Sequence, residues 1–271
     1  DVYPNALLAL PFITKSSLIY KIFLYLNKKS YKKSDQIFTP SNGMKKMLTE
    51  MINKEKIDVI PWWADTEFIK PLEKKNNKFI IKHKLLNTFN VMYSGNLGLT
   101  HNIEKILESA LFLKDHKDIK FIIIGDGPKK KNVDNFQKKH NLNNLLILPF
   151  QNEDVLPFSL AAADISIVLD SFASNKDSGS TASIPSKTYY IMAAGSIIYA
   201  ESDSTSELND LINNKKLGFC DDSKDIKRFI NFIKECKGDD SIREMYQINN
   251  RKASFDFTKK NARLLFDGIE K

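Results

Sequence analysis

Cysteine is nearly absent from this 271-residue sequence, which has only Cys220 and Cys236 and no CxxC spacing. Neither a disulfide framework nor a cysteine-based zinc site is indicated, and we expect a reducing, cytoplasmic environment. No apolar run reaches the roughly 18–20 residues that a membrane-spanning helix needs. The sequence starts at Asp1 without an initiator methionine or a signal segment, so we expect a fragment of a longer protein.

Arginine is also scarce. The formal net charge is +8, yet arginine occurs only at Arg228, Arg243, Arg251 and Arg263, and lysine supplies the remaining positive charge. Lysines can release counterions from nucleic-acid phosphates, but base and bidentate phosphate recognition favour the rigid guanidinium group. The composition therefore favours a solvated lysine surface, and no nucleic-acid partner is expected.

Short β-branched runs alternate with helical patterns from Ser34 onward, and turn or capping residues end each run. This alternation predicts an α/β fold with a parallel sheet. A first unit has predicted strands at 36–40 and 57–61, with a helix that begins after Ser41. The second unit has predicted strands at 90–94, 120–124, 145–149, 165–170, 196–201 and 218–220. Its predicted helices lie at 102–114, 129–139, 153–162, 186–194 and 204–213, and two or three more follow within 223–270.

The polar segment that begins at Pro71 is a predicted linker. We therefore divide the chain into residues 1–70, residues 71–252 and a C-terminal helix at 253–271. The first unit has too few strands to close a domain, whereas the second predicts a doubly wound, Rossmann-like sheet. In such sheets ligands bind outside the carboxyl ends of the strands, so the loops there are the candidate sites.

Two of these loops contain paired glycines. Gly95 and Gly98 follow the first strand of the second unit, and Gly125 and Gly127 follow the next one. Glycines between a strand and a helix let the backbone approach an anion near the helix N-terminus, although the same residues also suit a tight turn that binds nothing. The second loop lacks the third glycine and the acidic partner of a dinucleotide fingerprint, so NAD is not indicated.

A third loop, 175–183, precedes Pro185, Ser186 and Lys187 at the start of a predicted helix. Proline suits the first helical turn, and the amides after it, with Ser186 and the lysine cation, could bind a diphosphate. A capped core helix whose lysine is merely exposed remains the alternative.

Four segments follow one another along the chain: 93–98 (YSGNLG), 124–128 (IGDGP), 162–167 (AADISI) and 185–195 (PSKTYYIMAAG). In this order they resemble the donor-binding half of retaining GT-B glycosyltransferases (family 4-like). The closest resemblance is to bacterial L-fucosamine-transferase-like enzymes of capsule and O-antigen synthesis. Upstream, 1–4, 34–41 and 59–65 are similar to the rear part of an acceptor domain and its hinge.

This resemblance implies a GT-B fold whose acceptor domain is incomplete here. It implies transfer of a sugar from a nucleotide-sugar, most simply a UDP-amino sugar, to a surface-polysaccharide or polyprenyl-linked acceptor. The implied diphosphate-binding residues are Lys187, Ser186, Pro185, Asn96 and Gly98. The implied donor sugar and ribose positions are Ala182, Ser183 and Tyr190. The implied base-binding residues are Gly125, Gly127, Phe150 and Gln151, although Phe150 equally suits a core position.

The sequence departs from the family pattern at three of these positions. Two glutamates that usually contact the donor sugar and ribose correspond to Ala182 and Tyr190, and an arginine that often follows the first loop's glycine corresponds to Asn96. No DxD motif at a strand end and no His/carboxylate cluster is present, so we expect catalysis without a metal or another cofactor.

Two other functions remain open. A sugar-nucleotide epimerase of GT-B-like fold would need an acid and a base, and His101 is the histidine at a strand-end loop. A non-catalytic nucleotide-sugar-binding subunit would need neither.

The segment from Lys15 to Lys33 alternates lysines with apolar residues at helical spacing. A basic amphipathic helix of this kind could lie against the inner leaflet of a membrane. It could equally pack on the sheet of an acceptor domain, with its lysines in solvent.

Overall fold

The structure is a computed structural model that describes residues 3–9, 13–170, 180–223 and 225–269. Eight strands alternate with eleven helices in this part of the chain. The strands are β1 (Ile37–Thr39), β2 (Ile57–Val59), β3 (Phe89–Ser94), β4 (Ile119–Ile124), β5 (Leu145–Leu148), β6 (Ile165–Leu169), β7 (Ile197–Glu201) and β8 (Gly218–Asp221). The helices are α1 (Leu18–Lys33), α2 (Asn42–Thr49), α3 (Lys78–Lys82), α4 (Ile103–Phe112), α5 (Lys130–His140), α6 (Leu156–Leu160), α7 (Lys187–Ala194), α8 (Glu207–Lys215), α9 (Ile226–Gly238), α10 (Asp240–Ser254) and α11 (Arg263–Ile269).

The second unit is built on a six-stranded sheet in the order β5-β4-β3-β6-β7-β8, in which every pair is parallel. The predicted parallel α/β fold is confirmed, and each predicted strand is present within one or two residues of its expected ends. The strand order reverses direction between β3 and β6. The crevice outside the carboxyl ends of these two strands is therefore where a ligand is expected in a doubly wound sheet.

The first unit contains β1 and β2, which pair in parallel from Ile37 opposite Ile57. Between them, α2 begins where the Ser41 hydroxyl accepts a hydrogen bond from the Met44 N–H at 3.1 Å. The apolar face of α2 packs on β2 through Met44 and Leu48. This unit therefore has a small core, to which Ala182 of the second unit also contributes.

The first and second units meet at the N-terminus of α2. The Ser41 hydroxyl donates to the Ala182 carbonyl, and the N–H groups of Asn42 and Gly43 donate to the Glu207 carboxylate at 3.1 and 2.8 Å. A carboxylate suits this position because a helix N-terminus carries a partial positive charge. Glu207 of the second unit thus caps a helix of the first.

A buried ion pair holds α4 against the last strand of the sheet. Lys105 Nζ lies 2.8 Å from the Asp221 carboxylate, both side chains are almost fully buried, and the Tyr199 hydroxyl donates to the same carboxylate at 2.6 Å. Burial alone would raise the pKa of Asp221, but the hydrogen bonds from Lys105 and Tyr199 outweigh it and lower the pKa.

The C-terminal helices return to the hinge between the two units. Arg251 of α10 donates to the carbonyls of Thr66 and Ile69 in the hinge, at 3.0 and 3.2 Å, and to Ala193 of α7 at 2.9 Å. Phe257 accepts a backbone hydrogen bond from Ala64 at 3.2 Å. The division at residues 70 and 252 itself stays a prediction.

Three helices differ from expectation. The C-terminal helix expected at 253–271 is not continuous, because α10 ends at Ser254 and α11 begins only at Arg263. The helix predicted at 153–162 is shortened to α6, because Pro157 lies in its first turn and the preceding residues form turns. The five-residue α3 was not predicted, and it begins where the Asn77 side chain accepts from Phe79 and Ile80 N–H groups. Within the described ranges no helix combines the length and the apolar character needed to cross a membrane.

Candidate active site

The floor of the crevice consists of the two glycine-containing loops after β3 and β4. Gly125 has φ of +149°, and a Cβ there would lie 1.9 Å from the Gly95 carbonyl oxygen. A Cβ at Gly127 would lie 2.5 Å from the Asn96 side-chain oxygen. The loops are also joined by a Leu97 N–H to Asp126 carbonyl hydrogen bond of 2.8 Å. Here the glycines are required by close backbone contact between the loops.

Tyr93, at the end of β3, holds the first loop in place. Its side chain is fully buried, and its hydroxyl donates to the Asn96 carbonyl at 2.6 Å. His101 Nδ1 lies 2.9 Å from the same carbonyl and 3.1 Å from the Tyr93 hydroxyl oxygen. Burial lowers the pKa of His101, and this effect, together with the charges of Lys187 and Lys129, outweighs the hydrogen bond to the Asn96 carbonyl, which raises it.

Lys187, the first residue of α7, extends its ammonium over this loop. Nζ lies 4.4 Å from the centre of the Tyr93 ring. A Cβ at Gly95 would lie 2.6 Å from Nζ. Within the described residues no carboxylate lies within 4 Å of Nζ. Burial without a counter-ion lowers the pKa of Lys187 to about 8. The cation is therefore desolvated, largely protonated at neutral pH, and without an anionic partner in the part of the chain that is described.

Two backbone amides lie beside this cation. Thr188 and Tyr189 N–H groups already donate to the carbonyls of Pro185 and Ser186, at 2.9 and 3.2 Å. The N–H groups of Ser186 and Lys187 make no hydrogen bond within the described part of the chain. Of the amides after Pro185 that were expected to be free, those of Ser186 and Lys187 are therefore available to bind an anion. We call Gly95, Ser186 and Lys187 the diphosphate socket, after the ligand that the sequence resemblance implies for this loop.

On its other side, the start of α7 borders a cavity of about 700 Å³ that faces the first unit. Five aromatic side chains contribute to its wall, and no described residue that lines it carries a charge. We call this cavity the aromatic pocket. Its aromatic side chains are Tyr31, Phe38, Trp62, Trp63 and Tyr190. Pro185, Ser186 and Ser183 also line it, so four of the predicted donor residues meet at one cavity.

Other predicted site residues lie elsewhere. Phe150 is 56% exposed after β5, so the alternative that it belongs to the core is wrong. The Gln151 side chain donates to the Pro149 carbonyl in the same loop. Ala182 is buried against Gly43 in the small core of the first unit, and its carbonyl accepts from Ser41. Of the predicted polar loop 175–183, residues 175–179 lie outside the described residues.

Sequence reasoning missed the aromatic residues that support the site. The Tyr93 ring lies under the Lys187 ammonium at the socket, and Trp62 and Trp63 line the aromatic pocket. The Trp62-Trp63 pair directly after a strand was the available signal. In the described ranges, no group of three His, Cys, Asp or Glu residues could hold a metal ion.

The sequence profile of the family described as "Glycosyl transferases group 1" matches residues 74–253, which contain the six-stranded sheet and the socket. "Probable glycosyltransferase WbjE" of Pseudomonas aeruginosa is 26% identical over 227 residues, covering 81% of this chain and 54% of that protein. "Putative colanic acid biosynthesis glycosyl transferase WcaI" of Escherichia coli is 27% identical over 190 residues, covering 65% of this chain and 43% of that protein. The chain therefore spans about half the length of these relatives.

The fold is also that of a solved structure, Anabaena HepE in complex with UDP and glucose. The TM-score is 0.75 at 15% identity, and the similarity covers 92% of this chain and 66% of that one. The match includes most of the first unit as well as the second. The α/β architecture with a parallel sheet is thereby confirmed as that of GT-B proteins.

Proposed function

Because this chain belongs to the group 1 glycosyl transferase family, we propose that it binds the nucleotide-sugar donor of a sugar transfer to a surface-polysaccharide or lipid-linked acceptor. The proposal extends to a UDP donor and to retention at the anomeric carbon. Relatives named for glycosyl transfer and a similar structure that holds UDP support the donor class. The family assignment favours transfer over the alternative of a sugar-nucleotide epimerase.

The observation that carries the proposal is the unpaired cation of the diphosphate socket. A desolvated ammonium and two free amides converge where the strand order reverses, and a diphosphate would supply the missing negative charge. Negative charge grows on the departing diphosphate during transfer. A preorganised cation and amides would stabilise that charge in the transition state.

The aromatic pocket supports an amino sugar as the donor sugar. It adjoins the socket through Pro185 and Ser186, and Tyr190 stands in its wall where the family pattern has a glutamate. An N-acetyl group fits such a wall, because the aromatic rings can pack against its methyl group and the uncharged hydroxyls can hydrogen-bond its amide. We infer that the N-acetyl group of a UDP-N-acetylamino sugar packs in this pocket.

Lys187→Ala tests the donor site. We expect UDP binding to weaken by about 1.5–3 kcal/mol, the range for a hydrogen bond to a charged group, and uridine binding to change little. Lys215→Ala is a matched control, because Lys215 pairs with Asp256 on the surface outside the socket. Calorimetric titration of UDP and uridine into each variant measures both affinities. An unchanged UDP affinity in Lys187→Ala would contradict the assignment.

Product analysis separates the remaining functions. The full-length protein is supplied with labelled UDP-sugars and a lipid-linked acceptor. Label in the acceptor indicates a transferase, an altered free nucleotide-sugar indicates an epimerase, and binding without either product indicates a non-catalytic subunit.

We also propose that α1 contacts the inner leaflet of a membrane, so that the protein is cytoplasmic and peripheral. Tyr20 and Leu24 of α1 pack inward, whereas another side of the helix exposes a row of apolar residues. The exposed row is Ile19, Ile22, Phe23 and Leu26, each 39–52% exposed. The basic end of α1, formed by Lys28, Lys29, Lys32 and Lys33, adds positive charge that favours anionic lipid.

A further inference from the structure

A cavity of about 630 Å³ lies at the amino ends of β6 and β7, at the opposite end of the sheet from the diphosphate socket. Its volume is within the range of small-molecule sites. Residues of the segment that begins at Pro71 form one wall, the end of α7 forms another, and α10 forms a third. We call it the linker cavity. The eight residues of α7 span about 12 Å between the socket and this cavity, so the two are separate.

Much of the lining of the linker cavity is apolar and open to solvent. Ile248 and Phe255 of α10 line it, and they are 56% and 54% exposed. Leu72 and the three alanines at 161–163 add further apolar surface. A ligand with an apolar body would remove this surface from water, which is favourable in proportion to the area covered.

Arg251 is the polar group that can orient a ligand in this cavity. Three of its five N–H donors are used, two on Nη1 by the carbonyls of Ile69 and Ala193 and one on Nη2 by that of Thr66. The donor on Nε and the second donor on Nη2 make no hydrogen bond within the described residues. Nε is not closed off from solvent, so a ligand atom can reach it. The Phe255 ring lies 4.6 Å from the guanidinium carbon and offers apolar surface beside it.

The charges around the linker cavity leave this guanidinium without a paired anion. Lys74 lies 2.6 Å from the Asp164 carboxylate, so these two charges cancel. Glu244 and Lys252 also line the cavity and have opposite charges. In the part of the chain that the structure describes, no carboxylate lies within 4 Å of the Arg251 guanidinium. A planar carboxylate matches the fork of donors that a guanidinium presents.

We propose that the linker cavity binds a small amphipathic carboxylic acid in its ionised form. The carboxylate accepts hydrogen bonds from the free donors of Arg251, and the apolar body packs against Ile248 and Phe255. The site suits an effector rather than a substrate, because the diphosphate socket lies at the other end of α7. This proposal does not depend on the donor assignment.

A pair of probes that differ in charge but hardly in shape tests the ligand class. The full chain is titrated with 2-naphthoate and with the uncharged 2-naphthamide by ligand-observed NMR, with and without saturating UDP. We expect saturable binding of 2-naphthoate, about tenfold or more tighter than that of 2-naphthamide, as for hydrogen bonds to a charged group. Saturating UDP should not displace the probe.

Ile248→Glu tests the location, because it brings a like charge to the carboxylate and removes apolar surface. We expect the affinity for 2-naphthoate to fall about fivefold or more. Met245→Glu is the matched control, since Met245 is 40% exposed one turn earlier on α10 and does not line the cavity. Its affinity for 2-naphthoate should change less than about twofold. Arg251→Gln should lower the affinity for 2-naphthoate to that for 2-naphthamide, and if this variant does not fold, the pair on α10 decides.

Four results would overturn the proposal: no saturable binding of 2-naphthoate, equal affinities for the two probes, equal losses in Ile248→Glu and Met245→Glu, or displacement of the probe by UDP. A dimer that Ile248→Glu dissociates, with no binding of 2-naphthoate, would show that a second copy of the chain covers the cavity instead. The donor assignment fails independently, because it depends on Lys187→Ala and UDP. Lys187→Ala should leave the affinity for 2-naphthoate unchanged.

Discussion

The affinity for UDP should fall between pH 7 and pH 9, because the cation of the diphosphate socket loses its proton in this range. Burial lowers the pKa of Lys187 to about 8 in the free protein, from an ordinary value of 10.5. A bound diphosphate favours the protonated ammonium, so the pKa in the complex is higher than in the free protein. Binding therefore takes up a proton in this range and weakens as the pH rises.

The size of the effect follows from the two protonation states. The ammonium is about 90% protonated at pH 7 and about 10% protonated at pH 9, so the affinity should fall about tenfold over this interval. The fall should become steeper above pH 8, up to about tenfold per unit, until the pKa of the complex is reached.

Calorimetric titration of UDP at constant ionic strength measures this slope, with Lys187→Arg as the control. A guanidinium stays charged throughout this range, so the affinity of the variant should not show the fall that is due to Lys187. Any titration of the nucleotide itself is common to both proteins. If both proteins bind UDP and their affinities change in parallel from pH 7 to pH 9, Lys187 does not contact the diphosphate.

The other predictions concern stability, metal and membrane. Lys187→Met should raise the free energy of unfolding at pH 7 by about 1–3 kcal/mol in urea titrations, because it removes a desolvated cation whose folded-state pKa is depressed; a loss of stability would contradict this. Lys105→Met should lower the free energy of unfolding by about 3–5 kcal/mol, since the buried Asp221 carboxylate then keeps the solvent-exposed Arg228 as its counter-charge, whereas the exposed Lys117→Met should change the stability little. Sugar transfer by the full-length protein should survive EDTA, and activity lost to EDTA and restored by manganese would show that a metal is needed. Full-length protein should co-sediment with anionic vesicles less strongly at high salt, and replacing the basic end of α1 by glutamine should weaken this binding; unchanged binding would exclude that segment as the anchor.

The strands could be predicted from sequence because their signal is local. A buried parallel strand such as β4 ends in four consecutive apolar residues, 121–124, which a glycine turn follows, and the next strand comes one helix later. The resemblance then predicted which of the loops after the strands bind the donor. Helix α7 begins at Lys187, one residue after the predicted start, because Ser186 is its N-cap residue.

Contacts between distant segments could not be predicted in this way. Lys105 and Asp221 are separated by 116 residues. Lys187 at the start of α7 lies over the ring of Tyr93, which is in β3. Nothing in the local pattern distinguishes these lysines from the many that lie in solvent. Their partners depend on which loops the strand order brings together, and the aromatic pocket depends on how the first unit packs on the second.

Arg251 restricts how the first unit can move relative to the second. Its one guanidinium group holds two hinge carbonyls and the last turn of α7, the helix that starts at the diphosphate socket. Any rotation of the first unit about residues 66–69 must either carry α7 with it or break these hydrogen bonds. The hinge and α7 are therefore mechanically coupled, because one side chain passes movement of either segment on to the other.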